Sequence, residues 1–131
     1  MTLPTPEAAL YQWMGGFSIP AYPHTSVPDE GSDDWLGFPY LTYELVEGEW
    51  MRGEVNMAVN LWYRTESEAA PNAKVREMRA ALKDGGVTLP CQGGMLWLKQ
   101  GSPWAQAMRE EGDDKIKRRY VNVNVEYLLS S

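Results

Sequence analysis

EVNMAVNLWYR at Glu54–Arg64 and RYVNVNVEYLL at residues 119–129 decide the reading of this chain. Both alternate strictly. In the first, Val55, Met57, Val59, Leu61 and Tyr63 share one side, leaving Asn56, Ala58, Asn60 and Trp62 on the other. In the second, Val121, Val123, Val125, Tyr127 and Leu129 oppose Tyr120, Asn122, Asn124 and Glu126. A two-residue period with one apolar side is the pattern of a strand that buries one face and wets the other. The polar side carries amides and aromatics rather than a catalytic set, so it reads as a surface that meets partners.

Outward from these strands, residues 6–14 (PEAALYQWM) have a cap at Thr5, proline at the first helical position and an apolar stripe of Ala9, Leu10, Trp13 and Met14. That pattern predicts a short helix ending at Gly15-Gly16. Residues 17–22, bracketed by Pro20 and Pro23, read as an extended edge strand, and residues 23–37, rich in Pro, Ser, Asp and Gly, as a mobile loop. Aromatic and β-branched content returns at residues 38–46 (FPYLTYELV), a strand joined to the Asn-bearing one through residues 48–53.

A second helix is predicted over residues 67–84, with Pro71 in its first turn, a core stripe of Val75, Met78, Ala81 and Leu82, and a left-handed stop at Gly85-Gly86. Residues 87–91 and 95–100 flank Gln92-Gly93-Gly94, whose glycines suit a hairpin turn. Residues 103–109 read as one or two helical turns before the last strand. The order α-β-β-β-α-β-β-(short α)-β predicts one α+β domain over residues 1–131. Its sheet should be mixed and mostly antiparallel, with both helices on the apolar face.

At 131 residues and 44% hydrophobic, the chain can bury a core without disulfides or a structural metal. Cys91 is alone, which leaves no intrachain disulfide and fits a reducing compartment. No apolar run approaches the roughly 18 residues that read as a membrane span. The start MTLPTPEAAL lacks both a basic beginning and an apolar core, so synthesis in the cytosol and no membrane partner are expected. A formal charge of -6 opposes generic attraction to nucleic-acid phosphates or anionic lipid.

No constellation for chemistry emerges from the spacing. His24 has no Cys, His or helical carboxylate at ligand distance along the chain, and Cys91 beside Pro90 reads as a packing residue. The Gly85-Gly86 and Gly93-Gly94 pairs lack the lysine and hydroxyl of a phosphate loop, and neither Asp33-Asp34 nor Asp113-Asp114 has the alternating order of a calcium loop. No catalytic, metal or cofactor site is expected.

Charge and tryptophan are more informative. Asp29, Glu30, Asp33 and Asp34 form one acidic run, and Glu110, Glu111, Asp113 and Asp114 another that turns abruptly into Lys115, Lys117, Arg118 and Arg119. Such runs are ordinarily solvated; the sharper reading is a seam between identical subunits, acidic loop against basic strand. Of the six tryptophans, Trp13 and Trp97 suit a core and Trp104 a core edge. Trp35, Trp50 and Trp62 suit an interface, where the large ring buries much area for few torsions.

The phrases PAYP (residues 20–23), FPYLTYEL (38–45), NLWYR (60–64), GGMLWLKQGSPWAQ (93–106) and IKRRYVNVNVEYL (116–128) resemble small structural proteins of the head-to-tail joining region of long-tailed bacteriophages and prophages. The likeness spans nearly the whole chain and is greatest to tail terminator and tail completion proteins. What it implies is an α+β sheet with helices on one side, no enzymatic activity, and a homo-oligomeric ring, commonly a hexamer. Such a ring, assembled in the host cytoplasm, would sit at the head-proximal end of the virion tail. It would cap the tail tube protein, dock to head connector or completion proteins, and let DNA pass without specific binding. Candidate subunit contacts are Trp50, Asn60, Trp62, Arg118, Arg119, Asn122 and Asn124. The rival readings are another junction protein of the head completion or neck type, and, from a different class, a small-ligand or peptide-binding α+β module using Trp62 and the asparagine face.

Overall fold

Helix α1 (Pro6–Met14) starts where the sequence supplies a cap, the Thr5 hydroxyl accepting the Ala8 N–H at 3.1 Å. Its stripe of Ala9, Leu10 and Met14 is buried. The computed structural model describes residues 2–44 and 53–130. After α1 the chain does not become extended at once. A tight turn over Gly15–Phe17 carries Phe17 into the core, edge-on to Trp13 with ring centroids 4.9 Å apart. The expected strand over residues 17–22 is therefore cut to β1 (Ala21–Pro23), because burying the Phe17 ring outweighs extending its backbone.

The remaining elements are β2 (Tyr40–Tyr43), β3 (Glu54–Arg64), α2 (Ala69–Leu82), β4 (Val87–Cys91), β5 (Gly94–Arg109) and β6 (Ile116–Leu129). They form one six-stranded sheet in the order β1-β2-β3-β6-β5-β4. The sheet is mixed: β1 runs parallel to β2, and the other neighbours are antiparallel. It curls into a half-barrel around its helices. Helix α1 touches both edge strands, β1 and β4, which a flat sheet of this width would not allow.

The long central strands carry the core. Val55, Met57 and Val59 of β3 stand opposite Val125, Val123 and Val121 of β6. Together with Leu41, Leu61, Leu96 and Leu98 they meet Leu10, Met14, Met78 and Leu82 from the two helices in one cluster. Full burial of each such side chain contributes about 1.5–3 kcal/mol. Within the cluster, burial pushes the Tyr43 phenol up to about 12, with the charge of Tyr11 a lesser cause.

Two local readings are corrected by the sheet. Residues 103–109 are not helical; they continue β5, pairing Ala105 with Val121 and Ala107 with Arg119. The segment has no strong local preference and becomes strand because the first half of β6 needs hydrogen-bond partners along its β5 side. The cost is an irregularity, since Gln100 pairs with Val123 and Ala105 with Val121, leaving residues 101–104 opposite Asn122 alone. Gly101 is needed there, because a Cβ would lie 2.6 Å from the Asn122 Cβ. Helix α2 stops at Lys83, with φ 60 and ψ 177, before the glycine pair is reached; of the two glycines only Gly86, at φ 86, has a positive φ. The strand over residues 38–46 shortens to β2, and its Leu45 and Val46 fall outside the described residues.

Candidate interaction face

The sheet side away from the helices is where the amides and aromatics of the alternating strands converge. Register puts Asn56 beside Asn124, Ala58 beside Asn122, Asn60 beside Tyr120 and Trp62 beside Arg118, while β2 sets Thr42 next to Asn60 and Tyr40 next to Trp62. All of these side chains point outward by the two-residue period.

This face has two ends of different character. At one, the Asn56 amide donates to Asn122 Oδ1 at 3.0 Å, and Asn122 Nδ2 donates to the Pro103 carbonyl at 2.8 Å. Asn122 is 7% exposed, so it is a strut that ties the β5 irregularity to β3 rather than a free contact group. Beyond it, Lys99 binds Glu54 at 2.7 Å and Glu126 at 3.4 Å and lies 4.0 Å over the Trp97 ring. The hydrogen bond that Lys99 donates to Glu54 is the main cause raising its ammonium above the ordinary lysine range. Trp97, read from sequence as core, stands on this outer side and donates to the Gly85 carbonyl at 2.9 Å.

At the other end, Tyr40 and Trp62 stack with centroids 6.1 Å apart and planes 13° from parallel. The Arg118 guanidinium lies 5.2 Å over Trp62 and donates to Asn60 Oδ1 at 2.9 Å, while the Trp62 indole donates to Thr42 Oγ1 at 3.1 Å. Arg118 Nε is an ion-pair neighbour of the Glu110 carboxylate, without the alignment of a hydrogen bond. Trp35 and Phe38 pack edge-on to each other at 5.6 Å and both approach Tyr40, which also meets Tyr22. The segment after β1, read as a mobile loop, is thus pinned to the sheet at its far end by a satellite aromatic cluster. Burial first, then the charge of Glu30, raises the Tyr40 phenol.

Of the contacts expected from sequence, Asn60, Trp62 and Arg118 form one connected group, Asn124 sits half-buried further along the same face, and Asn122 is internal. Trp50 lies outside the described residues. Arg119 is on the opposite face, as its odd position beside Val121 requires. It is 6% exposed, held by Glu68 at 2.9 Å and by Asn72 Oδ1 at 3.0 and 3.1 Å. The Arg119 hydrogen bond is the leading cause holding the Glu68 carboxyl below the usual range.

Much of the acidic-to-basic junction is engaged within the chain, although Glu111 and the Asp114 carboxylate enter no ion pair among the described residues. Arg64 pairs with Asp113 at 3.2 Å, Lys115 with Glu66 at 3.7 Å, and the Lys117 ammonium donates to the Asp114 carbonyl. Asp113 is held low chiefly by the Lys115 main-chain N–H and then by Arg64. A hollow of about 680 Å³ beside this hairpin is lined by Glu68, Glu110, Lys117 and Arg119, which are engaged with one another, with Arg118 or with main chain, and by Arg109, Glu111 and Asp114, whose side chains enter no ion pair among the described residues.

Thr42, Tyr40 and Phe38 belong to the aromatic end but were not singled out in the sequence. Their signal was available, since Tyr40 and Thr42 share a parity and FPY precedes them. Comparison with protein-family models, curated proteins and solved structures finds no match.

Proposed function

We propose that the chain is a structural protein of a phage head-to-tail junction, acting as a tail terminator. In this reading it closes into a ring on the end of the tail tube, stops its growth, and offers a surface to the head. The observation that carries it is the set of phrases over residues 20–23, 38–45, 60–64, 93–106 and 116–128, a likeness that runs almost the length of the chain. The α+β sheet with both helices on one side agrees with the fold such proteins imply.

The geometry supports a geometric mechanism rather than a chemical one. The outer face is stiffened by its own pairs, from Asn56–Asn122–Pro103 to Tyr40–Trp62–Arg118, so it can be met by a partner with little ordering cost. The Trp62–Arg118 end, aromatic and guanidinium together, has the composition of an interface hot spot. It is also what a peptide-binding module would present, and such a module would be a stable monomer with one saturable site.

Electron microscopy of particles lacking the chain tests the reading. Tail tubes of uncontrolled length are expected. Normal-length tails without heads would move the protein to head attachment, and normal infectious particles would remove it from the junction.

A further inference from the structure

Charged side chains without an ion pair among the described residues include scattered single groups, such as Glu7, Glu44 and Arg109, and two compact sets of opposite sign. Asp29, Glu30, Asp33 and Asp34 enter no ion pair among the described residues, and neither do Arg76, Arg79 and Lys83. Arg76 and Arg79 lie three residues apart on α2, and Lys83 follows at its C-terminal cap. They border a hollow of about 590 Å³ completed by Ala80, Asp84 and Gln100. Asp84 is its one acid, and the neighbouring Glu77 is matched by Lys74 at 2.9 Å. Gln100 fixes the hollow's floor, accepting from Arg79 at 3.2 Å and donating to the Lys83 carbonyl at 3.2 Å.

The two sets cannot meet inside one molecule. Residues 29–34 lead into Trp35 and Phe38, which lie on the outer side of the sheet by β2. Helix α2 lies on the inner side, and its last turn is tied to β5 through Gln100. Opposite charges on opposite faces, each without an ion-pair partner among the described residues, suit a contact in which the front of one copy meets the back of the next. That is a heterologous interface, and it closes into a ring when the rotation between copies permits.

We infer that the basic patch at the C-terminal end of α2, Arg76, Arg79 and Lys83, receives the acidic loop at residues 29–34 of a second copy of this chain. The inference rests on the ring reading above for why copies should meet. It supplies that ring with a contact different from the Lys115–Arg119 seam, whose Lys115, Arg118 and Arg119 are paired within the chain. Leu36, 71% exposed beside the acids, adds an apolar point to the loop, and Ala80 leaves room for it in the hollow. Exposed pairs of this kind set orientation and encounter more than depth of binding, so the contact weakens steeply with salt.

Two reversed variants make the test. One carries Arg76→Glu, Arg79→Glu and Lys83→Glu; the other carries Asp29→Lys, Glu30→Lys, Asp33→Lys and Asp34→Lys. Alone, each places like charges at the contact, and its self-association should weaken by about tenfold or more. Mixed, the two restore opposite charges at every contact, and association should return. Circular dichroism confirms that both are folded before mixing.

Carbodiimide coupling of wild-type chains, half of them isotope-labelled, provides a readout that weak association still passes. Mixed-isotope peptides joining Lys83 to one of the four loop carboxylates are expected at low salt and should fade at high salt. Absence of such peptides at low salt overturns the proposal, as does a reversed mixture no better associated than its parts. Retention of duplex DNA by wild-type chain, lost in the α2 variant and without mixed-isotope links, would make the patch a nucleic-acid site and also overturn it. Failure here with tails still of uncontrolled length in particles lacking the chain would remove this contact and leave the terminator reading standing.

Discussion

The two acidic runs look alike in sequence and differ in what surrounds them. Glu110 and Asp113 lie at the β5–β6 turn, where antiparallel pairing brings Arg118 and Arg64 back to them, and Asp114 gives its carbonyl to Lys117. Residues 29–34 lie between a three-residue edge strand and an aromatic anchor, with no cation delivered to them among the described residues. A charge run is therefore consumed or left available according to whether the fold returns a complementary strand to it. Glu110 and Asp113 of the hairpin run are paired within the chain, whereas the four loop acids have no ion pair among the described residues.

The largest expected effect lies on the consumed side. Arg119→Ala removes the guanidinium bonds to Asn72 and a buried stem, and should lower stability by about 2 kcal/mol in urea unfolding. A loss below experimental error would contradict the reading of Arg119 as a buried tie between β6 and α2.

Acid titration comes next. Glu68 and Asp113 have folded-state pKa values lowered by Arg119 and by the Lys115 N–H with Arg64. The folded state thus binds fewer protons than the unfolded one across their titration range. Their stabilisation is complete above the ordinary carboxylate range and is lost as pH falls through the lowered values. Glu68→Gln combined with Asp113→Asn should flatten the acid limb of stability against pH, read by fluorescence; an unchanged limb would contradict the assignment.

Smaller still is Lys115→Ala, whose partner Glu66 is well exposed at 3.7 Å, with an expected cost of at most about 0.5 kcal/mol. Smallest is neutralisation of the four loop acids to Asn and Gln, which should leave unfolding within about 0.5 kcal/mol of wild type while reducing the salt dependence of association. A large loss of stability there would place the loop acids in hidden intrachain pairs and erase the contrast.

Much of the architecture was legible because it rests on periods. The alternation at Glu54–Arg64 and the Thr5-Pro6 start of α1 depend on short-range pattern and appear where the residues indicate. Residues 103–109 misled because Trp-Ala-Gln-Ala-Met is locally indifferent, and only the length of β6 dictates strand. At the interaction face, parity placed Asn60, Trp62 and Arg118 together but could equally have shown Arg119 pointing the other way. The burial of Asn122 was not legible, since it depends on a β5 irregularity that joins residues 101–104 to one position of β6.

The most direct measurement is the tail-length distribution, by electron microscopy, of particles lacking the chain and supplied with wild type, with either reversed variant, or with both variants together. Unit-length tails are predicted for wild type and for the pair, and tubes of uncontrolled length for no chain and for each variant alone. Unit-length tails in the complete absence of the chain would contradict the account.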